Sequence, residues 1–369
     1  MPPDRDRPPT LIVDQNVSMA ALTTLELGGP ARFLVEANDL NAIVAGLRWA
    51  AARGLPAFIL GGGSNLVVAD EGYGGVVIHV NTRGATTEPT ADGQVLVEVQ
   101  AGEPWDGLVA ETVANNLAGL ECLSGIPGLV GATPIQNVGA YGQEVADTIR
   151  SVRAIDRRTS QIVDLPAAAC AFRYRDSLFR REPDHYVVVS VTFALHPGGA
   201  PTIRYPELAA ALSSTPAPSL ADVREAVLRL RRSKSMVIDP TDANRRSVGS
   251  FFTNPIVSRA QAEALCDRLL ADGTITAAKE LPQFPAGADA VKLSAGWLIE
   301  RAGIAKGLRD GAVGVSTKHA LALVHHGGGT TAALVALARR VRGAVRDRFG
   351  ITLLPEPIFL GTISIDAPT

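Results

Sequence analysis

The sequence predicts an α+β fold, and two observations carry this prediction. Between Val76 and Leu195, strand-like apolar runs outnumber helical patterns, and one stretch, Trp105 to Asn116, repeats its apolar residues clearly at helical spacing. A doubly wound α/β sheet would show a helix after nearly every strand. The chain also lacks the G-x-G-x-x-G fingerprint of a dinucleotide-binding Rossmann unit.

The individual elements follow from apolar spacing and from helix-capping residues. Leu40, Ile43 and Leu47 recur at the helical period, and Ser258 with Gln261 forms a capping box. Further helices are predicted over 105–116, after 219, and over 295–302 and 331–349. Strands are predicted over 31–35, 57–60, 66–68, 76–80, 95–99, 151–155, 187–195 and 351–365.

Composition indicates a globular chain without a polyanionic partner. Its 369 residues suggest two or three domains, and 46% are hydrophobic and 20% charged. The net charge of −2 offers no concentrated basic surface for nucleic acid or acidic lipid. We therefore expect no nucleic-acid partner and no membrane insertion, and we find no apolar stretch long enough to span a bilayer.

The cysteines and the N-terminus point to the cytoplasm. Cys122, Cys170 and Cys266 are odd in number and far apart, without a C-x-x-C pair, so no metal site and no disulfide framework is expected. The first nine residues carry charge and proline where a signal peptide needs an apolar run. Proline- and serine-rich breaks at 197–201 and 213–218 predict a domain boundary near residue 218.

Two glycine-rich stretches are candidates for a cofactor site. The loop Gly61-Gly62-Gly63-Ser64-Asn65 follows an apolar strand and suits close backbone approach to a phosphate, although a hairpin turn is the alternative. The stretch from Ser124 to Gly142 is too long for a turn and too apolar for a solvated linker. It suits a wall against a large, flat cofactor ring, and a tightly packed connector is its alternative.

Four polar residues invite a catalytic or binding role, and each has a simpler explanation. In a strand, Tyr174 and Asp176 would share one face and Arg175 the other, and Arg175 would bind an anion or pair with a surface carboxylate. Lys234 ends a helix, where a cation complements the helix dipole. Glu356 lies between two prolines, which direct its carboxylate or merely place it in an exposed loop.

Ser250 is the remaining candidate. It lacks the second glycine of a nucleophile elbow and has no obvious base beside it, so a role as a proton donor suits it better than nucleophilic attack. In the alternative, Gly249 allows an unusual backbone angle while Phe251 and Phe252 fill a core. The segment by itself favours that packing interpretation.

Taken in order, these segments resemble one family, the flavin-dependent UDP-N-acetylenolpyruvoylglucosamine reductases of peptidoglycan synthesis. The resemblance covers nearly the whole chain after the first dozen residues. Its carriers are 24–31, the Gly61 loop, 124–142, 174–177, 249–255, 292–300 and 355–356. No one of these segments would suffice, but their joint order is specific.

The resemblance implies a fold and a division of the chain. The fold would be of the vanillyl-alcohol-oxidase type, with an FAD-binding domain in two subdomains and a C-terminal α+β domain for substrate. The implied division is a flexible N-terminus at 1–14, FAD-binding subdomains at 15–72 and 73–218, a substrate-binding domain at 219–350, and a strand segment at 351–369 that returns to the active site.

The resemblance also implies the chemistry. NADPH would reduce non-covalently bound FAD, leave, and be replaced in the same cleft by UDP-N-acetylglucosamine enolpyruvate. The flavin N5 would give hydride to the enolpyruvyl group and Ser250 would give the proton, yielding UDP-N-acetylmuramate. Arg175 and Glu356 match the other two catalytic positions, Arg175 stabilising charge and Glu356 acting on the substrate carboxylate or orienting the donor.

Binding residues are carried over position by position. The substrate contacts would be Tyr174, Lys234, Asn254 and Tyr205, the tyrosine closing over the nucleotide. Some relatives have other residues at Arg301 and Ile358, so no contact is carried over there. The cofactor contacts would be Gly61, Gly62, Gly63, Ser64, Asn65, Leu66, Ser124, Gly125, Ile126, Pro127, Gly128, Gly131, Ala132, Gln136, Asn137, Gly139, Ala140, Tyr141 and Gly142.

Two other functions remain open from the sequence. Another FAD-dependent oxidoreductase of the same fold would often tether its flavin through histidine or cysteine, and neither glycine-rich loop contains histidine. A flavin- or nucleotide-binding sensor would keep the Gly61 loop but would have no need of Ser250 and Glu356.

Overall fold

A computed structural model describes residues 11–366, which form two compact units. The first unit contains the residues up to Ser18, Pro30–Gly63 and Tyr73–Ile238, and the second contains Met19–Gly29, Ser64–Gly72 and the residues from Asp239 onward. This division falls after residue 238, whereas the proline-rich break lies near 218, so the domain boundaries proposed from the sequence remain a prediction. Residues 1–10 of the predicted flexible N-terminus lie outside the described residues.

The first unit contains a mixed four-stranded sheet. Pro30–Ala37 pairs antiparallel with Asp14–Ser18 and parallel with Tyr73–Val80, which in turn pairs parallel with Ala57–Leu60. The helix Leu40–Ala51 connects two of these strands, and Asp39 caps it by accepting a hydrogen bond from the Ala42 N–H at 2.8 Å. Parallel strands need such a crossover connection.

A second sheet in this unit is antiparallel. Its five principal strands lie in the order Gln161–Pro166, Ile149–Asp156, Tyr186–Pro197, Val95–Gln100 and Ala85–Pro89. The short strand Leu117–Ala118 also pairs with Tyr186–Pro197, and Gly139–Ala140 pairs with Gln143–Glu144. The remaining helices of the unit are Trp105–Ala114, Leu178–Arg181, Pro206–Ala211 and Leu220–Ser233, with 3-10 turns at Glu121–Leu123, Val130–Ala132 and Val145–Asp147.

The second unit packs three helices and short strands around its own core. Ser247–Ser250, Ala322–His325, Val313–Val315 and Arg309–Asp310 form one antiparallel sheet. Ile256–Ser258, Ala290–Leu293 and Gln283–Pro285 form another, and Ile358–Leu360 pairs parallel with Leu66–Val68. The helices are Arg259–Ala271, Ala295–Arg301 and Thr331–Phe349, with 3-10 turns at Met19–Leu22 and Ala278–Glu280.

The predicted α+β class is confirmed, and so are two capping predictions. Ser258 and Gln261 form the reciprocal capping box, and Gly350 ends the last helix in the left-handed conformation at φ 72°. The strand predicted over 351–365 is wrong in extent, because only Ile358–Leu360 is a strand. Pro355 and Pro357 lack the N–H groups that a longer ladder would need. Among residues 11–366, no helix has both the length and the apolarity to cross a membrane.

Within the second unit, His325 makes stability depend on pH. Its buried ring lies between two backbone groups, the Leu25 carbonyl 3.2 Å from Nδ1 and the Gly329 N–H 3.0 Å from Nε2. The imidazole is therefore neutral, with the proton on Nδ1. Burial, with the nearby Arg246 charge adding to it, lowers the pKa of His325 below its ordinary value. Burial also lowers the pKa of the adjacent His326.

We expect the free energy of unfolding to fall as the pH drops below about 6.5, the ordinary histidine pKa. Below that pH the histidines bind protons in the unfolded chain but stay neutral in the folded one. Their contribution to the free energy of unfolding is therefore present above that pH and is lost below it. Denaturant unfolding between pH 8 and pH 5 measures this slope. His325→Gln should flatten it, whereas His196→Gln, at an exposed site, should not. Stability that rises toward pH 5 would contradict the assignment.

Candidate active site

Within the first unit, the glycines at 61–63 of the first loop lie against the second glycine-rich loop, whereas Ser64 and Asn65 belong to the second unit. A Cβ atom on Gly62 would lie 2.9 Å from Gly128 Cα, closer than real Cβ atoms come, whereas one on Gly61 would meet its nearest atom at 3.9 Å. The hairpin alternative for the Gly61 loop is excluded. The preceding strand Ala57–Leu60 pairs with Tyr73–Val80, and the following strand pairs elsewhere.

Buried contacts fix the start of the second loop. The Trp105 indole, itself fully buried, donates to the Leu123 carbonyl at 3.0 Å. The Gly125 N–H donates to Asp106 at 2.6 Å, and the same carboxylate accepts two hydrogen bonds from Arg224 at 2.6 and 2.9 Å. A bidentate pair of this kind restricts both partners geometrically. The loop therefore has a defined conformation although it contains little regular secondary structure.

Arg175 lies in a tight turn rather than in the strand that the alternation predicted. Arg173 and Asp176 exchange backbone hydrogen bonds at 2.9 and 3.1 Å, so Tyr174 and Arg175 form the turn between them. Arg175 has φ 52°, a left-handed conformation that is uncommon outside glycine. The strand prediction was wrong because a two-residue turn removes the alternation of faces.

The guanidinium of Arg175 is directed to the second glycine-rich loop. Its Nη2 donates to the Gly139 carbonyl at 2.7 Å, and a Cβ on Gly139 would lie 3.2 Å from Nη1. Asn137, also at positive φ, donates from Nδ2 to the Arg173 carbonyl at 3.0 Å. Arg175 and the predicted cofactor contacts Asn137 and Gly139 are thus neighbours.

The predicted substrate residues Tyr205 and Lys234 share a second cluster in the same unit. Tyr205 precedes the helix Pro206–Ala211, and its ring meets the Tyr141 ring edge-on with centroids 5.6 Å apart. Lys234 caps the helix Leu220–Ser233, and its Nζ lies 5.9 Å from the Tyr141 ring centroid. Burial raises the pKa of Tyr141 to about 12, so this phenol stays neutral at physiological pH.

Ser250 and Glu356 come together within the second unit. The Glu356 N–H donates to the Phe251 carbonyl at 2.9 Å, and the Thr253 N–H donates to the Leu354 carbonyl at 3.0 Å. These bonds pair the segment just after Ser250 with the segment that contains Glu356. Both residues are half-buried.

A bulge sets the direction of Ser250. The pairing of Ser247–Ser250 with Ala322–His325 shifts register between Ser247 and Ser250, and Gly249 has φ 74°. A bulge with a left-handed glycine re-aims the side chain that follows it. Phe251 and Phe252 are 0% and 1% exposed, so the packing interpretation of this segment is confirmed, while the proton-donor role of Ser250 stays a prediction. The two interpretations are compatible.

Thr24 and Glu26 contact the segment that precedes Ser250. The Thr24 hydroxyl donates to the Ser247 carbonyl at 2.7 Å. Glu26, at φ 53°, forms ion pairs with both Arg245 and Arg246. A non-glycine residue with this backbone conformation is retained only where surrounding contacts enforce it.

Asn65 and Asn254 also lie in the second unit. The Asn65 Nδ2 donates to the Glu356 carbonyl at 3.4 Å, and its own carbonyl accepts from the Ile358 N–H at 3.0 Å. This places a predicted cofactor contact beside a predicted catalytic residue. The Asn254 Oδ1 accepts from the Ala295 N–H at 2.9 Å, which gives this residue a structural role at the start of a helix.

Two acidic residues were missed by sequence reasoning. Glu121 is 1% exposed and accepts hydrogen bonds from the Gly119 and Thr202 N–H groups at 2.8 and 2.7 Å. Its signal was an isolated acid within the apolar run Leu120 to Leu123. Glu207 pairs with Lys234 at 2.5 Å, and its only signal was its place directly after Tyr205-Pro206.

The paired loops fit a large cofactor that bears phosphate groups. Gly63, Gly125 and Gly128 all have positive φ, at 61°, 72° and 112°, which turns backbone amides in directions that other residues reach at a cost. At the approach of Gly62 to Gly128 there is no room for a side chain on Gly62. Backbone N–H groups are therefore the polar groups that the loops offer at that point.

Comparisons with known proteins identify two matched domains in this chain. Residues 31–165 match the family model described as an FAD binding domain, and residues 239–360 match the model described as UDP-N-acetylenolpyruvoylglucosamine reductase, C-terminal domain. The fold and the site therefore define an FAD-binding oxidoreductase. The expectation of FAD as cofactor is supported by the first of these matches.

Full-length relatives identify the family. The UDP-N-acetylenolpyruvoylglucosamine reductase of Saccharopolyspora erythraea is 49% identical over 93% of this chain and 94% of its own, and that of Streptomyces coelicolor is 48% identical over 93% and 89%. The chain belongs to the UDP-N-acetylenolpyruvoylglucosamine reductase family. The solved reductase from Thermus caldophilus, at 24% identity, covers 95% of this chain and 100% of its own with a TM-score of 0.64, and so shares the fold.

Two alanine substitutions separate loop packing from cofactor contact. Gly62→Ala should lower both the melting temperature of the apoprotein and the FAD content, because its Cβ would overlap Gly128. Gly61→Ala has room within the protein, so it should leave the apoprotein's melting temperature unchanged and weaken FAD binding by about tenfold or more. Fluorescence titration of the apoprotein with FAD measures the affinity of each variant, and thermal unfolding of the apoprotein measures its melting temperature. Unchanged affinity in Gly61→Ala would remove this loop from the cofactor site.

Proposed function

We propose that this chain reduces the enolpyruvyl group of UDP-N-acetylglucosamine enolpyruvate to give UDP-N-acetylmuramate, in the cytoplasm and with NADPH as reductant. Bound FAD would supply the hydride, and the Gly61 loop and the 124–142 stretch would bind it. The observation that carries the proposal is the backbone pairing that sets Ser250 beside the segment of Glu356. The two residues of the family that handle the proton and the carboxylate would then act from adjoining segments.

Ser250 is the proposed proton donor. Hydride addition at the terminal carbon leaves negative charge on the carbon next to the substrate carboxylate, and that carbon is basic enough to take a proton from a hydroxyl. The bulge at Gly249 re-aims this hydroxyl, and the buried Phe251 and Phe252 keep its strand in place. A positioned general acid typically contributes about 10²–10⁴ in rate.

Arg175 is proposed to stabilise the negative charge that develops in the reaction. Its hydrogen bond to the Gly139 carbonyl fixes the guanidinium, so little reorganisation is needed when charge appears. Glu356 is proposed to act on the substrate carboxylate or to orient the donor hydroxyl. Its backbone lies between Pro355 and Pro357, which restricts the directions its side chain can take.

The nucleotide part of the substrate is assigned to Tyr174, Tyr205, Lys234 and Asn254. The Lys234 ammonium is a suitable point charge for a diphosphate, and Tyr205 offers a ring for the base or sugar. We infer that NADPH and the UDP-sugar use one cleft in turn, because the sequence has no separate dinucleotide fingerprint.

Stopped-flow kinetics of Ser250→Ala tests the proton donor. NADPH should bleach the flavin at a near-normal rate, because that half-reaction needs no serine proton. Reoxidation by the enolpyruvyl substrate should slow by about 10²-fold or more. Ser213→Ala, at an exposed serine, is the control and should leave both half-reactions unchanged. Equal loss in both half-reactions of Ser250→Ala, or loss in neither, would contradict the role.

Glu356→Gln should slow the same half-reaction. A group that stabilises or positions charge in the transition state is typically worth about 2–4 kcal/mol, which is a rate loss of roughly 30- to 1,000-fold. Glu263→Gln, at an exposed glutamate of the same unit, provides the comparison. If Glu356→Gln instead changes only the NADPH step, the proposed action on the substrate carboxylate is wrong.

A further inference from the structure

The ion pair between Glu207 and Lys234 lies at the residue to which the proposed function assigns the substrate's phosphates. Glu207 Oε2 is 2.5 Å from Lys234 Nζ, and the side chains are 38% and 32% exposed. A fully exposed pair would be worth little, but this one is partly screened from water by protein. The carboxylate therefore takes one of the three N–H donors with which Lys234 would bind an anionic ligand.

Both partners are positioned by their helices. Glu207 is in the first turn of Pro206–Ala211, and the next residue, Leu208, is 0% exposed in a small core shared with Val223 and Val227. Lys234 is the C-cap of Leu220–Ser233, which contributes both valines. The backbone positions of both side chains are thus set by packed helices. A ligand that needs Lys234 has to compete with a carboxylate fixed beside it.

The carboxylate of Glu207 also affects a neighbouring tyrosine. Tyr205 immediately precedes the helix of Glu207, and its ring contacts Tyr141. Burial, with the Glu207 carboxylate adding to it, raises the pKa of Tyr205 above its ordinary value. The negative charge of Glu207 therefore acts on Tyr205, which is assigned to the nucleotide.

We propose that Glu207 is an intramolecular competitor of the substrate's diphosphate for Lys234, and that it sets the affinity of the enzyme for its nucleotide substrate. This inference rests on the proposed function, which gives Lys234 to the phosphates. Glu207 has two opposing effects. It pre-orients the lysine, which favours binding, and it repels an incoming phosphate at close range, which opposes binding.

Repulsion is the larger of the two effects. A diphosphate carries more than one negative charge and approaches a carboxylate that is already in contact with the same ammonium, in an environment less polar than water. Ordering one lysine side chain in advance saves the rotamer entropy of that side chain alone. Removing the charge of Glu207 while keeping its shape should therefore strengthen nucleotide binding.

Calorimetric titration of the FAD-loaded protein with UDP and with uridine tests this. Glu207→Gln should bind UDP about three- to tenfold more tightly than the natural chain and should bind uridine equally. The gain should shrink at high salt, since it arises from charge, whereas a purely structural effect would not. In a Lys234→Met background the competition for the ammonium is lost and direct repulsion alone remains, so Glu207→Gln should give a smaller gain than in the natural chain.

Controls make each outcome decisive. Glu225→Gln, at an exposed glutamate, should not change UDP affinity, and Glu207→Asp, which keeps the charge, should stay near the natural value. FAD content and melting temperature verify that each variant is folded. Weaker or unchanged UDP binding by Glu207→Gln would overturn the inference. The proposed function would still stand if the natural chain turns over the enolpyruvyl substrate. If the natural chain shows no such turnover, both are overturned.

Discussion

The close approach of Gly62 to Gly128 is the constraint on which the candidate cofactor site depends. It brings two loops separated by some sixty residues of sequence into backbone contact, and no residue with a Cβ fits at Gly62. The second loop is joined on its other side to the sheet, because the Gly131 N–H donates to the Ala101 carbonyl at 2.8 Å. The Trp105 N–H likewise donates to the Gly128 carbonyl at 3.0 Å. The loops are thus continuous with a rigid scaffold, as a preorganised binding site requires.

Much of this could be predicted from the sequence, and the failures have physical causes. Local signals such as the Ser258 capping box and the Gly350 cap sufficed because short-range hydrogen bonds decide them. The turn at Arg175 was missed because its left-handed backbone occurs at a residue other than glycine, so no glycine marks the turn in the sequence. The contact between Gly62 and Gly128 was not predictable either, since two loops rich in glycine do not reveal which glycine faces which.

At the candidate catalytic residues, a role in packing and a role in catalysis do not exclude each other. In the sequence, a structural role and a chemical role for the Ser250 segment looked like alternatives. The bulge at Gly249 and the two buried phenylalanines would nevertheless keep a donor hydroxyl in place. The same is true of Lys234. Its place at a helix end, where a cation is favourable, also puts it in contact with Glu207. In both places the scaffold contacts are the means of positioning, and the proposed chemistry depends on them.

We propose that the glycines at 61–63 and the stretch at 124–142 bind FAD together. Hydrogen exchange followed by mass spectrometry, with and without FAD on the same chain, tests it most directly, since exchange reports local protection of backbone amides. FAD should slow exchange in both segments at once, with the glycine amides prominent among those protected. Protection of one segment without the other, or of neither, would contradict it.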